Sequence, residues 1–437
     1  MTDPTAPPPF LSETLDDLRA LNSYVQPRIL RRYQRCIATA QPFAVRSPWT
    51  GRMVQLSANR IITHHSISYL FDDCESPPFS VDAGALAAGF PLLQVRTGPH
   101  CWLIATGNPI VIESKLKAQP AVHRIDWSKR PQVLIGDRNF AHFIWNEYPA
   151  LHAVGRDLAA DLLCLHDPLL LLHASARKRP DLVLTHVDDA NTLRGWSDRM
   201  TGFLGAQYLD AEAKAAAVAH FRKLGQQDAI IGPHPRLYVS LRFAPRSSLG
   251  QQDMITAVII AFLSQWRQGS VVIDGFSMPE DFERPVYDDK RAAFVEREAR
   301  SRDAAAAVIA DLPMTMQGQI VDITGMRLTA AITTALSCDY YVCHSGTLQH
   351  KVGWFAEIPG FIHSNSTDIR FVARRWAGNQ SHGSKIPAGP SPHLIRDVVG
   401  SWDGPISKRL RNSDYEITDL QALVSEMIAD MRLHLDE

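Results

Sequence analysis

Apolar residues along this chain fall into two rhythms. Between about 50 and 135 they form short runs, RMVQLS, RIITHHSISYLF, PLLQVRT, HCWLIAT, PIVIES and PQVLIG, separated by Gly, Pro and Asn. Runs of this length bounded by turn residues predict short strands. Beyond 135 the apolar runs alternate with longer helical stretches. A helix is predicted over 141–160, strands at LLLL (169–172) and DLVLTH (181–186), and a helix over 206–227 that Gly225 stops. The second half repeats the unit more regularly. Strands are predicted at RLYVSLRF (236–243), SVVIDGF (270–276), QIVDITG (319–325), CDYYVCHSGT (338–347) and PGFIHSN (359–365), with helices over 253–269, 289–311, 327–337 and 348–357. This alternation predicts an α/β fold with a parallel, doubly wound sheet.

The ends read differently. Residues 1–10, rich in Pro, predict a flexible tail. Ser12 ahead of Leu15, Leu18 and Leu21 predicts a capped amphipathic helix toward Ile37. The segment 376–412, rich in Gly, Pro, Ser and Asn, predicts loop, and a helix closes the chain. The 437 residues exceed what one hydrophobic core organises, so two domains are expected. Their expected bounds are 11–225 and 230–412.

Hydrophobic residues make up 45% and charged residues 21%, the balance of a globular protein. A formal net charge of −1 argues against a whole-surface footprint for nucleic acid, which is not an expected partner. The six cysteines form no CxxC pair, so zinc ribbons and thioredoxin-like redox motifs find no support. The opening residues lack a basic n-region and an apolar h-region, so no secretory leader is expected. The most apolar run, DLLCLHDPLLLLH (161–173), is too short and too polar to span a bilayer. The expectation is a cytoplasmic protein, membrane-peripheral at most through a partner or an exposed patch.

Three stretches can carry chemistry. GDRNFAHFIWNEYPALHAV (136–154) follows a predicted strand and presents Asn139, His142, Trp145, Asn146 and Glu147 at a helix start. A histidine and a carboxylate at the carboxyl end of a strand suit acid–base work, although His142 and Asn146 could equally cap or pack the helix. In RLYVSLRFAPRSS (236–248), Arg242 and Arg246 can grip a diphosphate through forked guanidinium bonds, or sit in solvent. In CDYYVCHSGTLQHKVGWFAEIPGF (338–361), a strand ending at His344 meets a Ser345-Gly346-Thr347 turn, with Lys351 one helical turn on. Gly346 lets backbone N–H groups approach a phosphate, while Ser345 and Thr347 can also be plain caps.

Other chemistries lack their motifs. There is no GxGxxG after the first strand and no P-loop, GxSxG, HExxH or EF-hand pattern. His64 and His65 have no carboxylate or cysteine at ligand spacing. VDD (187–189) and YDD (287–289) are the nearest approach to a DxD and read as solvated turns. A metal-dependent transferase is disfavoured, and no cofactor is expected.

Taken in order, the three stretches resemble glycosyltransferase family 61, which includes plant xylan-decorating enzymes and the extracellular O-GlcNAc transferase. Its bacterial members are often described as capsular polysaccharide biosynthesis proteins. The matching residues are Asn139-Phe140-Ala141-His142 with Glu147 and Pro149, then Leu237-Tyr238-Val239-Ser240, then Asp339 through Gly346 with Phe355. Two positions depart from the family pattern. Glu147 stands one residue farther from His142 than usual, and Leu241 occupies the usual arginine position with Arg242 next.

The resemblance implies a GT-B fold: two Rossmann-like domains facing across a cleft, the first holding a glycan acceptor and the second a nucleotide-sugar. The closing helix, 413–437, would cross back to the first domain. The implied reaction is inverting and metal-independent. His142 or Glu147 would be the base, with Asn139, Trp145 and Asn146 positioning the acceptor. Arg242, Arg246, His344, Ser345, Gly346, Thr347 and Lys351 would hold the donor diphosphate. Peripheral association with a membrane-bound polysaccharide assembly system fits this role. Two other functions stay open: a nucleotide-sugar epimerase of the same fold, and a non-catalytic binding or scaffold subunit of polysaccharide assembly.

Overall fold

The structure, a computed structural model, describes residues 9–10, 32–63, 66–72, 78–84, 93–97, 100–104, 110–113, 122–179, 181–206, 208–225, 232–243, 246–370, 377–401 and 412–436. The tail over 1–8, most of the helix expected from Ser12 and the His64-His65 pair lie outside them. The chain divides into two compact units, residues 1–208 with 283–286, and 209–282 with 287–437. The α/β class read from the sequence is what both contain.

Unit 1 pairs two sheets. The antiparallel one runs in the order β1 (Ala44–Arg46), β2 (Met53–Thr63), β3 (Ser66–Phe71), β4 (Phe79–Gly84), β5 (Leu93–Thr97), β6 (His100–Ile104) and β7 (Ile110–Glu113). In β3 the buried positions alternate, Ile67, Tyr69 and Phe71 turning inward, as in a sheet covered on one face. The parallel sheet comprises β8 (Gln132–Ile135), β9 (Asp161–Cys164), β10 (Leu184–His186) and β12 (Thr201–Phe203), ordered β10-β9-β8-β12. β11 (Gly195–Ser197) pairs with β2 just before the chain enters β12, and Asn59 on β2 accepts from the Thr201 amide, 2.9 Å, so the two sheets are stitched together. The Leu169–Leu172 run, read as a strand, instead enters the helix Leu171–Lys178. The strand is β9, eight residues earlier, and Leu170 takes a left-handed φ of 52° at the helix cap.

Unit 2 is built on five parallel strands, β13 (Arg236–Ser240), β14 (Ser270–Asp274), β15 (Ile320–Asp322), β16 (Tyr340–His344) and β17 (Gly360–His363), ordered β15-β14-β13-β16-β17. Helices cover both faces, which is why β14 and β16 are buried at every residue. Leu237 and Val239 pack with the helices Gln251–Gln265 and Leu420–Leu435 on one face. Tyr238 packs on the other beside Ala331 and Ala335 of the helix Leu328–Ala335 and Val352 of Thr347–Gly353. Full burial of each such Val or Leu contributes roughly 1.5–3 kcal/mol.

Two boundaries differ from the sequence reading. The helix Ala211–Gly225, placed there at the close of the first domain, belongs to unit 2, where the Phe221 carbonyl accepts from Thr333 at 3.0 Å. The closing helix, expected to cross back to the first domain, belongs to unit 2 as well and buries Leu423, Met427 and Met431 against its sheet. β18 (Ile395–Asp397), within the segment read as loop, pairs with β19 (Tyr415–Ile417) beyond it. Among the described residues no helix is long and apolar enough to cross a membrane.

Candidate functional site

In each parallel sheet the first strand lies between the second and the fourth, giving the order 3-2-1-4 in both units and 3-2-1-4-5 in unit 2. In unit 2 the connections leave the first and fourth strands toward opposite faces, and the crevice at their carboxyl ends is where such sheets bind ligands. In unit 2 those ends are Ser240 and His344. In unit 1 they are Ile135 and Phe203.

At the unit 2 crevice, β13 stops at Ser240, whose hydroxyl accepts from the His344 amide at 3.2 Å. Leu241 turns into the core, and Arg242 follows beyond the strand. Because the strand has ended, the one-residue displacement of the arginine does not send it to the wrong face. Gln251 fixes the Arg242 backbone from both sides, its carbonyl accepting from the amide at 2.7 Å and its amide donating to the carbonyl at 3.2 Å.

Arg246 has a left-handed φ of 75°, which costs a non-glycine residue roughly 1–3 kcal/mol and is held only where surrounding bonds impose it. Its carbonyl contacts His344 Nε2, and its guanidinium pairs with Asp368 at 3.2 Å, a carboxylate that also accepts from Ser345 Oγ at 2.7 Å. Gly346 has φ +112°, and a Cβ there would lie 3.6 Å from the Arg246 guanidinium and 3.9 Å from that of Arg242. Both arginines therefore converge on the turn at the end of β16.

The electrostatics of this turn are strongly positive. Burial, then the like charge of Arg246, push Arg242 down to about 9, and this outweighs the opposite pull of Tyr415 and Asp368. Arg297 adds to the same field. Burial and Arg242 push His363 down to about 3, and burial with Arg242, His363 and Arg246 holds His344 well below its usual range. Both histidines are neutral at pH 7 and Arg242 stays charged. An anion in this crevice would offset the like-charge part of each of these shifts.

Lys351 is not part of it. Its ammonium is buried and bonded to Asp274, to Ser277 Oγ at 2.9 Å and to the Gly275 carbonyl at 2.9 Å, which uses all three donors inside the protein. Spacing along the helix could not show that this lysine points at β14. Ser345 is likewise engaged with Asp368, and Thr347 opens the short helix after the turn.

The unit 1 crevice has the opposite character. Gly136, φ +105°, ends β8 where a Cβ would overlap the His166 backbone. Phe140–His142 and Tyr148–Val154 are helical, and between them Phe143–Glu147 forms a π turn closed by the Tyr148 amide on the Phe143 carbonyl. A π turn absorbs one extra residue. Here the turn lies between His142 and Tyr148, and the Asn146 carbonyl accepts from the Ala206 amide beyond β12, 2.8 Å.

The Glu147 carboxylate turns back onto the strand end, accepting from the amides of Gly136 at 2.7 Å and Asp137 at 3.0 Å. Burial and the neighbouring Asp137 carboxylate push it up to about 8 against those bonds. His142 keeps a third of its side chain exposed, with Nδ1 3.3 Å from Asp137 Oδ2. Asn139 is the helix cap, its side chain accepting from the Ala141 amide at 3.1 Å. Trp145 is buried, and the buried Asn146 side-chain amide has no hydrogen-bond partner among the described residues. The structure thus separates His142, which faces outward, from Glu147, which staples the turn.

Sequence reading missed Asp137, Asp368, His363, Tyr415 and Arg297. Asp137 lay inside the quoted stretch and could have been found as the residue after a strand-ending glycine. The others come from segments whose proximity only the sheet order reveals.

No family model and no curated protein matches the sequence. Among solved structures, a glycosyl transferase family 9 protein from Veillonella parvula is similar at 10% identity, covering 66% of this chain and 76% of that one, TM-score 0.26. The iron-containing heptosyltransferase TibC, in complex with ADP-D-beta-D-heptose, is 11% identical over 79% of this chain and 80% of that one, TM-score 0.29. A TarM variant from S. aureus is 10% identical over 98% and 80%, TM-score 0.18.

Proposed function

We propose that this chain is a glycosyltransferase of the GT-B type, using a nucleotide-sugar donor and a glycan acceptor. The observation that carries the reading is the convergence of Arg242 and Arg246 on Gly346 at the switch point of a 3-2-1-4-5 sheet. Two guanidiniums and a glycine turn at that place suit a diphosphate, whose departure they stabilise as charge develops on it. Ser345, Gly346 and Thr347 supply the turn, and His344 secures Arg246 behind it.

His142 is the base in this reading. Asp137 beside Nδ1 favours the tautomer with its proton there, leaving Nε2 to take the acceptor hydroxyl proton as it attacks the anomeric carbon. Glu147 keeps the turn in shape rather than acting on substrate. An inverting, metal-independent course and membership of glycosyltransferase family 61 fit this assignment, supported by the residue pattern over 139–149, 237–240 and 339–355.

The test is a panel of nucleotide-sugars with release of nucleoside diphosphate as the readout. One donor should be turned over, and His142→Ala should keep its affinity while losing most of the rate. Free interconversion of the donor sugar without release would favour an epimerase. Full release by His142→Ala would remove the assigned base.

A further inference from the structure

His344 is completely buried, and both of its ring nitrogens face oxygens that can only accept. Nδ1 lies 2.6 Å from the Ser345 carbonyl, and Nε2 contacts the Arg246 carbonyl. A neutral imidazole carries one N–H, so one of these contacts sets a lone pair against a carbonyl oxygen. Only the imidazolium bonds to both. The groups around it decide when that form is reached: Arg242 and Arg246 from beyond β13, His363 from β17, Tyr415 from β19 and Asp368 from the helix Ser366–Asp368. Two of these are fixed positive charges, and the one carboxylate already serves Arg246 and Ser345. In the empty crevice the second proton is therefore opposed.

We propose that His344 takes up a proton from solvent when an anion binds at Arg242 and Arg246, and in doing so fixes the Arg246 backbone in its binding conformation. The inference rests on the diphosphate-site reading given above. The anion offsets the guanidinium charges, and the imidazolium then donates to both carbonyls, so the left-handed turn at Arg246 and the Ser345 carbonyl are bonded at once, which neither neutral tautomer achieves. His344 is thus a positioning residue acting through Arg246. Anion affinity should rise as pH falls, by up to about tenfold per pH unit for a single linked proton.

The chain has 17 histidines, so selective labelling at imidazole Cε1 gives a readable spectrum, with the His344 resonance assigned by His344→Gln or, should that variant not fold, His344→Asn. The probe is inorganic sulfate, exchanged for chloride at constant ionic strength, because its charge is unchanged near neutral pH. Saturating sulfate should raise the His344 pKa by at least one unit and bind more weakly at higher pH. Replacement of His344 should abolish that pH dependence while leaving a binding site. Sulfate that binds in an Arg242-dependent way without moving the His344 titration would overturn the proton linkage and leave the anion site standing. Sulfate that fails to bind at all would overturn both.

Discussion

Two strand-to-helix corners with one topology have been given opposite charge. At the end of β8 in unit 1, Gly136 at φ +105° leads into a corner that buries Asp137 and the Glu147 carboxyl group. At the end of β16 in unit 2, Gly346 at φ +112° leads into a corner that gathers Arg242, Arg246, His344 and His363. Each corner contains a backbone irregularity, a π turn in the first and a left-handed Arg246 in the second. The difference teaches that strand order locates a crevice while side-chain charge decides what the crevice can do. The positive corner suits a diphosphate, and the acidic corner suits orienting a base.

The sharpest break of this comparison is functional. If His142 is the base as proposed, His142→Ala should lower turnover by roughly 10²–10⁴-fold with donor affinity unchanged, since the proposed donor site lies elsewhere. Steady-state rates and equilibrium donor binding, measured on the same variant, separate the two. If rate and affinity fall together, the corners are not functionally distinct.

The two glycines give the next test. Gly136→Ala puts a Cβ into the His166 backbone as well as straining φ, and should destabilise the protein by roughly 3 kcal/mol or more in denaturant unfolding. Gly346→Ala meets only ordinary contacts at 3.6 and 3.9 Å, so it should cost roughly 1–2 kcal/mol while weakening anion binding by crowding the guanidiniums. Equal costs at the two positions would contradict the distinction between a packed corner and an open one.

A further test is a pH dependence of opposite sign at the two corners. Glu147 is raised in the fold, so between about 4.3 and 8 the unfolded chain binds fewer protons and this group lowers stability as pH rises. His344 and His363 are depressed in the fold, so below about 6.5 the unfolded chain binds more protons and stability falls as pH falls. Glu147→Gln keeps an acceptor for the Gly136 and Asp137 amides and should remove the alkaline slope, with stability at pH 8 equal to or above the parent. Melting temperatures across pH check both signs.

The alternation of strand and helix beyond residue 230 was legible because the central strands there, β13, β14 and β16, are covered on both faces and read as apolar runs. The Leu169–Leu172 run misled for the same reason, since periodicity does not tell a short buried strand from the start of a buried helix. The positive corner was readable in part, because Arg242, Arg246 and Gly346 follow strand ends in the sequence itself, and the structure brings the three together. Lys351 was not, because its direction depends on where Asp274 stands across the sheet. At the acidic corner, the sequence placed His142 and Glu147 on one stretch, and only the hydrogen-bond pattern shows the π turn between them.

The central claim, that the positive corner of unit 2 binds a diphosphate, is tested most directly by calorimetric titration of the parent protein and Arg242→Ala with a panel of nucleoside diphosphates. At least one should bind the parent. Arg242→Ala should lose about 1.5–3 kcal/mol, roughly 10- to 150-fold in affinity, as for a hydrogen bond to a charged group, with an unchanged apo melting temperature. No binding by any of the nucleotides, or equal affinity in the two proteins, would contradict it.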